Sequence, residues 1–509
     1  MPLDAELARL DATLAHDLLR FGPELLLCLG IVGSLFAKLF RAATRVQLVP
    51  FALLLTLVAL GLVASDAQDS AVFGGLLRLD SFANFFRVFL LLTAALVLAL
   101  TRLTGLPDAT DSADFVTLLL GGTLGMMLMA SANHLIMVFL AIEMASLPSY
   151  VLAGFLKGKG RSSEAALKYV VYGAAASGVM LYGISLLVGQ LGTAYLPSAA
   201  ESLGAAFRSG GFSLSLTAGL LFLFVGLGFK LAVLPFQFWL PDVFEGAAAE
   251  VGAMLAVASK AAAVGLTLRL LFVLFQHVPI PAVTETVSAA LAGVAVLTAT
   301  LGNVAALVQT NLKRLLAYST IAHAGYMLMA IACIQRPAAA AVLFYLAGYL
   351  PMTLGAFAVV AVLRSLTGSE EIDAARGLLK RSPVLGVCTA VFLFSLLGVP
   401  PLAGFAGKFQ VFTAVYRTGA FHAAGGHPWL GTLFNVVLAA GVVNTVVSAG
   451  YYLKVLKAVA LDDPTDETPL GEGVAVRLYL LLLTAAVVVV GVWWDPLTDL
   501  TWRAAVGLG

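Results

Sequence analysis

The chain has 509 residues, 61% hydrophobic and 11% charged, with a formal net charge of +1 and a mean hydropathy of +1.00. A soluble globular domain carries roughly 25% charged residues, so this composition excludes an ordinary soluble enzyme and points to a polytopic membrane protein; the near-neutral balance offers nothing to nucleic acid. Cys28, Cys333 and Cys388 stand alone within apolar runs, which excludes the clustered thiolates of an iron–sulfur centre and makes them small core residues.

The first residues, Met1 to Arg20, are acidic and amphipathic (Asp4, Glu6, Asp11, Asp17). They lack the basic n-region of a signal peptide, so the first apolar run is expected to be retained as a span. At about 20 residues per span, helices are predicted near 20–40, 47–65, 79–102, 115–132, 134–156, 164–190, 213–234, 251–275, 284–309, 314–334, 338–363, 384–416, 432–458 and 474–496. The expected fold is therefore all-α and polytopic, with about fourteen transmembrane helices. Placing both termini outside leaves 16 of the 29 Lys and Arg in cytoplasmic loops and 7 in outer segments, the bias of the positive-inside rule.

Six cations remain inside spans: Arg87, Lys168, Lys230, Lys260, Arg269 and Lys408. Arg87 and Arg269 sit close enough to span ends to snorkel to the surface. The four lysines are harder to place. At about 2.5–3.5 kcal/mol each near a helix centre, unpaired, they would cost roughly 10–14 kcal/mol, so transport is the expected compensation.

Residues 1–114 form an N-terminal three-helix segment with few ionisable groups. Two five-helix blocks follow, 115–275 and 284–458, and 459–509 adds a C-terminal helix. In each block three intact spans precede one broken by proline: at Leu234-Pro235-Phe236 in the first, and between Leu397 and Lys408 through Pro400 and Pro401 in the second. Proline removes a backbone donor, and in hydrocarbon an interrupted helix persists only where protein or a wet cavity satisfies the freed groups. Five spans per block put the second repeat into the membrane from the opposite side. Paired broken helices in two inverted repeats are the sequence pattern of a transporter-type site near the midplane.

Lys230 lies one turn before the first break and is expected to face the interior. Glu143 sits well inside the fifth span. An unpaired buried charge favours its neutral form and a paired one its charged form, so a Glu143–Lys230 pair would hold both charges, and separating it would release a proton from Lys230. The plainer alternative is a static ion pair. Lys260 lies among small residues that leave room for water, which a relay between separated groups needs. His323 titrates near neutral pH in its unperturbed state and would sit between the halves; a hydrogen-bonded core histidine is the competing reading. Lys408 follows the second break and is the natural far end. Lys168 either joins this row or snorkels.

Other polar residues have plainer explanations. Lys313 and Arg314 open a span and read as anchors; Asp242 and Glu245 either collect protons or cap a turn. Asn435 and Asn444 suit interhelical hydrogen bonds, and Met126, Met127 and Met129 read as core. The loop from Ser369 to Pro383 reads as a solvated connector or a docking surface, and Leu461 to Glu472 as an acidic linker. No motif here would hold NADH, flavin or an iron–sulfur cluster.

Several stretches are long enough to be specific. Lys230 with Leu-Pro-Phe-x-x-Trp-x-Pro-Asp-Val-Phe-x-Gly-Ala, Ala258-Ser-Lys-Ala-Ala-Ala, the run from Lys313 to Tyr326, and Gly398-Val-Pro-Pro-Leu-Ala-Gly-Phe-Ala-Gly-Lys408 resemble the antiporter-like membrane subunits of respiratory complex I. The resemblance covers about residues 80 to 460 and is nearest to the N-type branch, on the span count, the Ser-Leu-Pro-Ser-Tyr after Glu143, and Lys at 408. It implies one proton-pumping channel in the membrane arm, with roles for Glu143, Lys230, Lys260 and Lys408 and with His323 on the connecting axis. It further implies no cofactor in this chain: NADH, FMN, iron–sulfur clusters and quinone belong to partner subunits. The partners would be neighbouring antiporter-like and small membrane subunits, in the bacterial inner membrane. The family usually has His and two Pro where this chain has Gln237, Ala248 and Glu250, so a titrating relay at 237 is lost and a carboxylate is gained at 250. Two alternatives share the motifs: a subunit of a multi-subunit Na⁺/H⁺ antiporter, and a non-pumping membrane scaffold of a hydrogenase-type complex. Retention of all the key charges argues against the scaffold.

Overall fold

The computed structural model describes residues 13–40, 45–65, 69–107, 111–208, 213–275, 281–464, 466 and 468–508. Asp4, Glu6, Asp11, Arg9 and Arg41 lie outside the described residues.

The chain is a helical bundle. A short helix α1 over 13–20 leads to α2 (Gly22–Leu39), α3 (Arg45–Ala64), α4 (Ser81–Thr104), α5 (Ser112–Ser131), α6 (Leu135–Ala153), α7 (Gly160–Leu191), α8 (Leu196–Arg208) and α9 (Leu214–Leu231). Then come α10 (Trp239–Gly246), α11 (Ala249–Met254), a π-helical turn over Leu255–Ser259, α12 (Lys260–Phe275), α13 (Pro281–Leu307), α14 (Leu312–Ile331) and α15 (Arg336–Thr367). The short α16 (Leu378–Arg381) precedes α17 (Pro383–Leu397), α18 (Ala403–Ala424), α19 (Pro428–Ala460), α20 (Val474–Val492) and α21 (Asp495–Val506).

Among the described residues, 12 helical stretches are long and apolar enough to cross a membrane. Each coincides with one predicted from the sequence. The other two predicted spans are α14, which carries Lys313, Arg314 and His323 within 20 residues, and the interrupted pair α17–α18, whose first half has only 15 residues. The α11–α12 stretch and α15 are enclosed along nearly their whole length, whereas α2, α3, α19 and α20 keep most of their surface outward. The site is built around the enclosed pair.

Four details depart from expectation. A two-stranded antiparallel hairpin, β1 (Ser70–Val72) with β2 (Leu77–Leu79), interrupts the helical pattern between α3 and α4. It forms because Val72, Leu77 and Leu79 are buried beneath it, and Asn133 ties it down by donating its backbone N–H to Leu76 O at 3.0 Å. Arg87 and Arg269 do not snorkel. Both are fully buried: Arg87 donates to both oxygens of Glu24 at 2.8 and 2.7 Å, and Arg269 grips both oxygens of Asp80 at 2.9 and 2.8 Å. Bidentate pairing inside the bundle replaces water as the solvating partner. The linker from Leu461 is not free-standing, since Lys380 pairs with Asp463 at 2.8 Å and Leu470 N–H donates to Arg381 O, so it packs on the loop before α17. Finally, α8 and α21 are short amphipathic helices outside the span pattern. Cys28, Cys333 and Cys388 are free thiols, and Met126, Met127 and Met129 are buried in the core.

Candidate functional site: a row of buried amines

The site begins where two helices stop early. α9 ends at Leu231 with Ala232 in the left-handed region (φ 54°), and α17 ends at Leu397 with Gly398 there (φ 96°). Ala232 N–H bonds Phe229 O and Val233 N–H bonds Gly228 O, each at 3.0 Å; Gly398 N–H bonds Ser395 O and Val399 N–H bonds Phe394 O, each at 3.0 Å. This is a Schellman-type closure, and it recurs residue for residue. Even the next turn repeats, with Phe236 N–H on Val233 O and Leu402 N–H on Val399 O.

A helix terminated this way leaves carbonyls without an intrahelical donor and a partial negative charge at that end. Lysines take them up. Lys260 Nζ donates to Leu231 O at 3.1 Å and to Thr320 O at 2.9 Å. Lys408 Nζ donates to Leu397 O at 2.8 Å and Leu396 O at 3.2 Å, and lies 4.8 Å from the centre of the Tyr326 ring. The π turn just before Lys260 sets the amine at the start of α12.

Lys230 is the penultimate residue of α9, and its amine turns the other way, donating to Ser146 Oγ on α6 at 2.8 Å. Glu143, one turn before Ser146, accepts from Ser177 Oγ on α7. Glu143 and the acceptor of Lys230 thus sit one turn apart on α6, without the contact ion pair expected from the sequence; Ser177 supplies the carboxylate's hydrogen bond instead.

On the far side of Lys260, Thr320 lies one turn before His323. His323 Nδ1 is 2.5 Å from Tyr345 OH and Nε2 is 3.3 Å from Tyr452 OH, while Tyr452 OH is 2.5 Å from Ser319 Oγ. Tyr326 OH accepts from Asn303 Nδ2 at 3.1 Å. Asn303 also bonds Asn444 across α13 and α19, the interhelical role expected of Asn444.

Lys168 stands apart from the row. It pairs with Asp242 at 2.6 Å and Glu164 at 2.7 Å, in a network that adds Arg314 to Asp242 and Glu245 at 2.6 and 2.8 Å and Arg161 to Glu245 at 3.2 Å. These residues line a cavity of about 170 Å³ at one end of the bundle. Partial burial alone would raise the Asp242 carboxyl, but hydrogen bonds from Lys168 and Arg314 hold it below the usual carboxylate range. Lys313, buried beside them, pairs with Glu370 at 2.7 Å. Glu250 is fully buried and pairs with Arg364 at 3.0 Å while accepting from Thr104; it neither caps amides nor faces solvent.

With the geometry in hand, the relatives can be set beside it. The family described as "NADH:quinone oxidoreductase/Mrp antiporter, TM" matches residues 132–426. NADH-quinone oxidoreductase subunit N of Anaeromyxobacter sp. (strain Fw109-5) is 38% identical over 499 residues, covering 94% of this chain and 95% of the relative. The chain belongs to the subunit N family of NADH-quinone oxidoreductase. Subunit N 2 of Sorangium cellulosum (strain So ce56) is 39% identical over 506 residues, covering 95% and 96%. Among solved structures, a chain of respiratory complex I from Thermus thermophilus with bound aureothin aligns at TM-score 0.76 and 32% identity over 94% of this chain and 98% of that one. A chain of the Mrp complex from Dietzia sp. DQ12-45-1b shares the fold, at TM-score 0.80 and 19% identity over 96% and 97%.

The structure of this subunit therefore places Lys230, Lys260, His323 and Lys408 at buried positions, with Glu143 one turn from Ser146 on α6, and leaves Lys168 in the surface network. Sequence reading missed Ser146, Ser177, Tyr345, Tyr452 and the carbonyls of Leu231, Leu396 and Leu397. Only Ser146 had a signal, its one-turn spacing from Glu143.

Proposed function

We propose that this subunit of NADH-quinone oxidoreductase translocates protons along a mid-membrane row running Glu143, Lys230, Lys260, His323, Lys408, driven by quinone reduction elsewhere in the complex. One observation carries the reading. Among the described residues, the amines of Lys230, Lys260 and Lys408 are held by neutral acceptors, a hydroxyl or backbone carbonyls. Lys168 and Lys313, Arg87 and Arg269 all face carboxylates. A carboxylate partner fixes the charged state of a cation, whereas a neutral acceptor leaves both protonation states accessible. On this reading the ion pairs hold their charges while the three amines gain and lose a proton.

The same reading takes the fold as fourteen spans, with inverted repeats at 115–275 and 284–458 between the 1–114 and 459–509 segments and both termini on the outer side of the bacterial inner membrane. The matching closures at residues 228–236 and 394–402 support the repeat. Partners are the neighbouring antiporter-like and small membrane subunits of the membrane arm, and NADH, FMN, iron–sulfur clusters and quinone are bound by other subunits of the complex.

The test is Lys230→Ala in the assembled complex, reconstituted into proteoliposomes. Assembly is expected to persist while protons moved per NADH oxidised fall. Undiminished pumping would remove Lys230 from the row.

A further inference from the structure

Glu250 is a fully buried carboxylate in the first turn of α11, whose other side chains (Ala249, Val251, Ala253 and Met254) are apolar. A buried charge needs a partner to be tolerated, and two helices supply one. Arg364, in the last turn of α15, donates from Nη2 to Oε1 at 3.0 Å and lies with Nη1 3.4 Å from Oε2. Thr104, the last residue of α4, donates to Oε1 at 2.5 Å. The contact is close along its length, since a Cβ on Gly252 of α11 would stand 3.0 Å from the Phe357 ring of α15.

A second buried pair adjoins the first. Lys313, the second residue of α14, meets Glu370 at 2.7 Å and donates to Ala247 O, just ahead of α11, at 2.7 Å; it interacts electrostatically with both Glu250 and Arg364. Four charges, two of each sign, thus tie α11 to α14 and α15 at one end of the bundle. Two of these helices carry the Lys260 site. α11 runs through the π turn into α12, whose first residue is Lys260, and α14 carries Thr320, whose carbonyl accepts from Lys260 Nζ at 2.9 Å.

The stretch between Glu250 and Lys260 is poorly able to hold itself. α11 has 6 residues, well under the roughly 12–15 at which a helix stands alone. The turn after it is π-helical, a one-turn departure from the α ladder. A buried carboxylate–guanidinium pair pins the span on either side of that turn: Glu250–Arg364 before it, and Asp80–Arg269 beyond Lys260.

We propose that Glu250 and Arg364 are positioning residues for Lys260: their pair fixes the register of α11 against α14 and α15, and with it the π turn that sets the Lys260 amine between Leu231 O and Thr320 O. The pair keeps its charges and passes no proton. Its effect is geometric, because an amine shared between carbonyls of two helices keeps both bonds only while those helices hold their relative height. The carboxylate at 250, where the family usually has proline, then has a use. Proline presets the first turn of a helix through its locked φ; here a buried ion pair holds that turn instead. The positioning role rests on the row of amines proposed above and names what aims one of its members.

The experiment uses the whole complex in proteoliposomes. Glu250→Gln keeps the size of the side chain and strands the Arg364 charge, whereas Glu250→Gln/Arg364→Met removes both charges. Breaking a buried pair from one side is strongly destabilising, and replacing both partners is often neutral, so the thermal midpoint is expected to fall in the single variant and recover in the double. Pumping per NADH oxidised is expected to stay about tenfold down in both, within the roughly hundredfold that an ångström of misplacement can cost. A cryo-EM map of the double variant is expected to show the Lys260 amine off Leu231 O or Thr320 O. Pumping that recovers together with the midpoint overturns the proposal, as does a Lys260 amine still on both carbonyls. Should the double variant not assemble, Glu250→Asp decides: it keeps both charges and shortens the tie by one methylene, and wild-type pumping there overturns the positioning role. Lys260→Met alongside separates the readings. If it stops pumping while the double variant pumps normally, the positioning role fails and the row stands; if it pumps normally, Lys260 leaves the row, and the positioning role falls with it.

Discussion

The two helix breaks are closed by the same backbone hydrogen bonds and differ in where the cation comes from. At the first, the amine on the terminal carbonyl arrives from another span: Lys260, at the start of α12, reaches Leu231 O. That frees α9's own Lys230 to face α6 and Ser146. At the second, the amine comes from the continuation of the broken helix, since Lys408 folds back over the turn onto Leu396 and Leu397. The residue there that matches Lys230 is Leu396, which is apolar. A helix end with freed carbonyls therefore fixes where a cation must sit but not which segment supplies it. The first break can host two amines because its cap is borrowed; the second caps itself and hosts one.

Self-capping requires the chain to double back tightly, and the largest expected effect tests that. A Cβ at Gly404 would lie 1.7 Å from Ser395 O and 2.7 Å from its carbonyl carbon, contacts with backbone that no side-chain rotation relieves. Gly404→Ala should destabilise by about 3 kcal/mol and deplete the assembled complex in membranes. Phe238, the matching residue at the first break, is 63% exposed, so Phe238→Ala should leave assembly intact. Equal tolerance at both positions would mean the second break is no tighter than the first.

Next in size are the caps themselves. Lys408→Met strands two carbonyls at a helix end, each costing about 1–3 kcal/mol if left buried and unpaired. Lys260→Met strands one, because Thr320 O keeps its own helical donor within α14. Relief from burying an amine offsets part of both. The thermal midpoint of the complex should drop further for Lys408→Met than for Lys260→Met; the reverse order would show that capping is not what these lysines contribute to the fold.

Much of this was legible in the sequence, for definite reasons. Pro235, Pro400 and Pro401 mark the breaks because proline cannot continue a helix, and a lysine in an apolar run stands out against its cost. What stayed hidden depended on contacts distant in the chain. Arg87 and Arg269 look like snorkelling residues until Glu24 and Asp80 are brought beside them, 63 and 189 residues away. Tyr345 and Tyr452 lie in apolar runs where nothing in the sequence singles them out, yet both face His323. The acceptors of Lys260 and Lys408 are backbone carbonyls, which carry no sequence signal. Lys168 resembles the other span lysines in its surroundings along the chain, and only the fold sets it against Asp242.

The smallest expected effect comes from the left-handed residue at each turn. L-residues with a side chain resist this region by roughly 1–2 kcal/mol, yet the first break uses Ala232 and the second Gly398. The route of the lysine accounts for it. A Cβ at Gly398 would meet Lys408 Cδ at 3.0 Å and Nζ at 3.4 Å, because the side chain lies across the turn it caps; at the first break Lys260 approaches from another helix, and an alanine methyl is accommodated. Gly398→Ala should thus cost about 1–2 kcal/mol and displace the Lys408 amine, lowering pumping as well as the thermal midpoint. Ala232→Gly removes the left-handed penalty but loosens the unfolded chain, so its net effect should stay within about 1 kcal/mol with pumping unchanged. The two substitutions are opposite in chemistry at matched positions, so a loss of pumping in Ala232→Gly, or none in Gly398→Ala, would show that the direction of the lysine's approach does not decide which turn needs glycine.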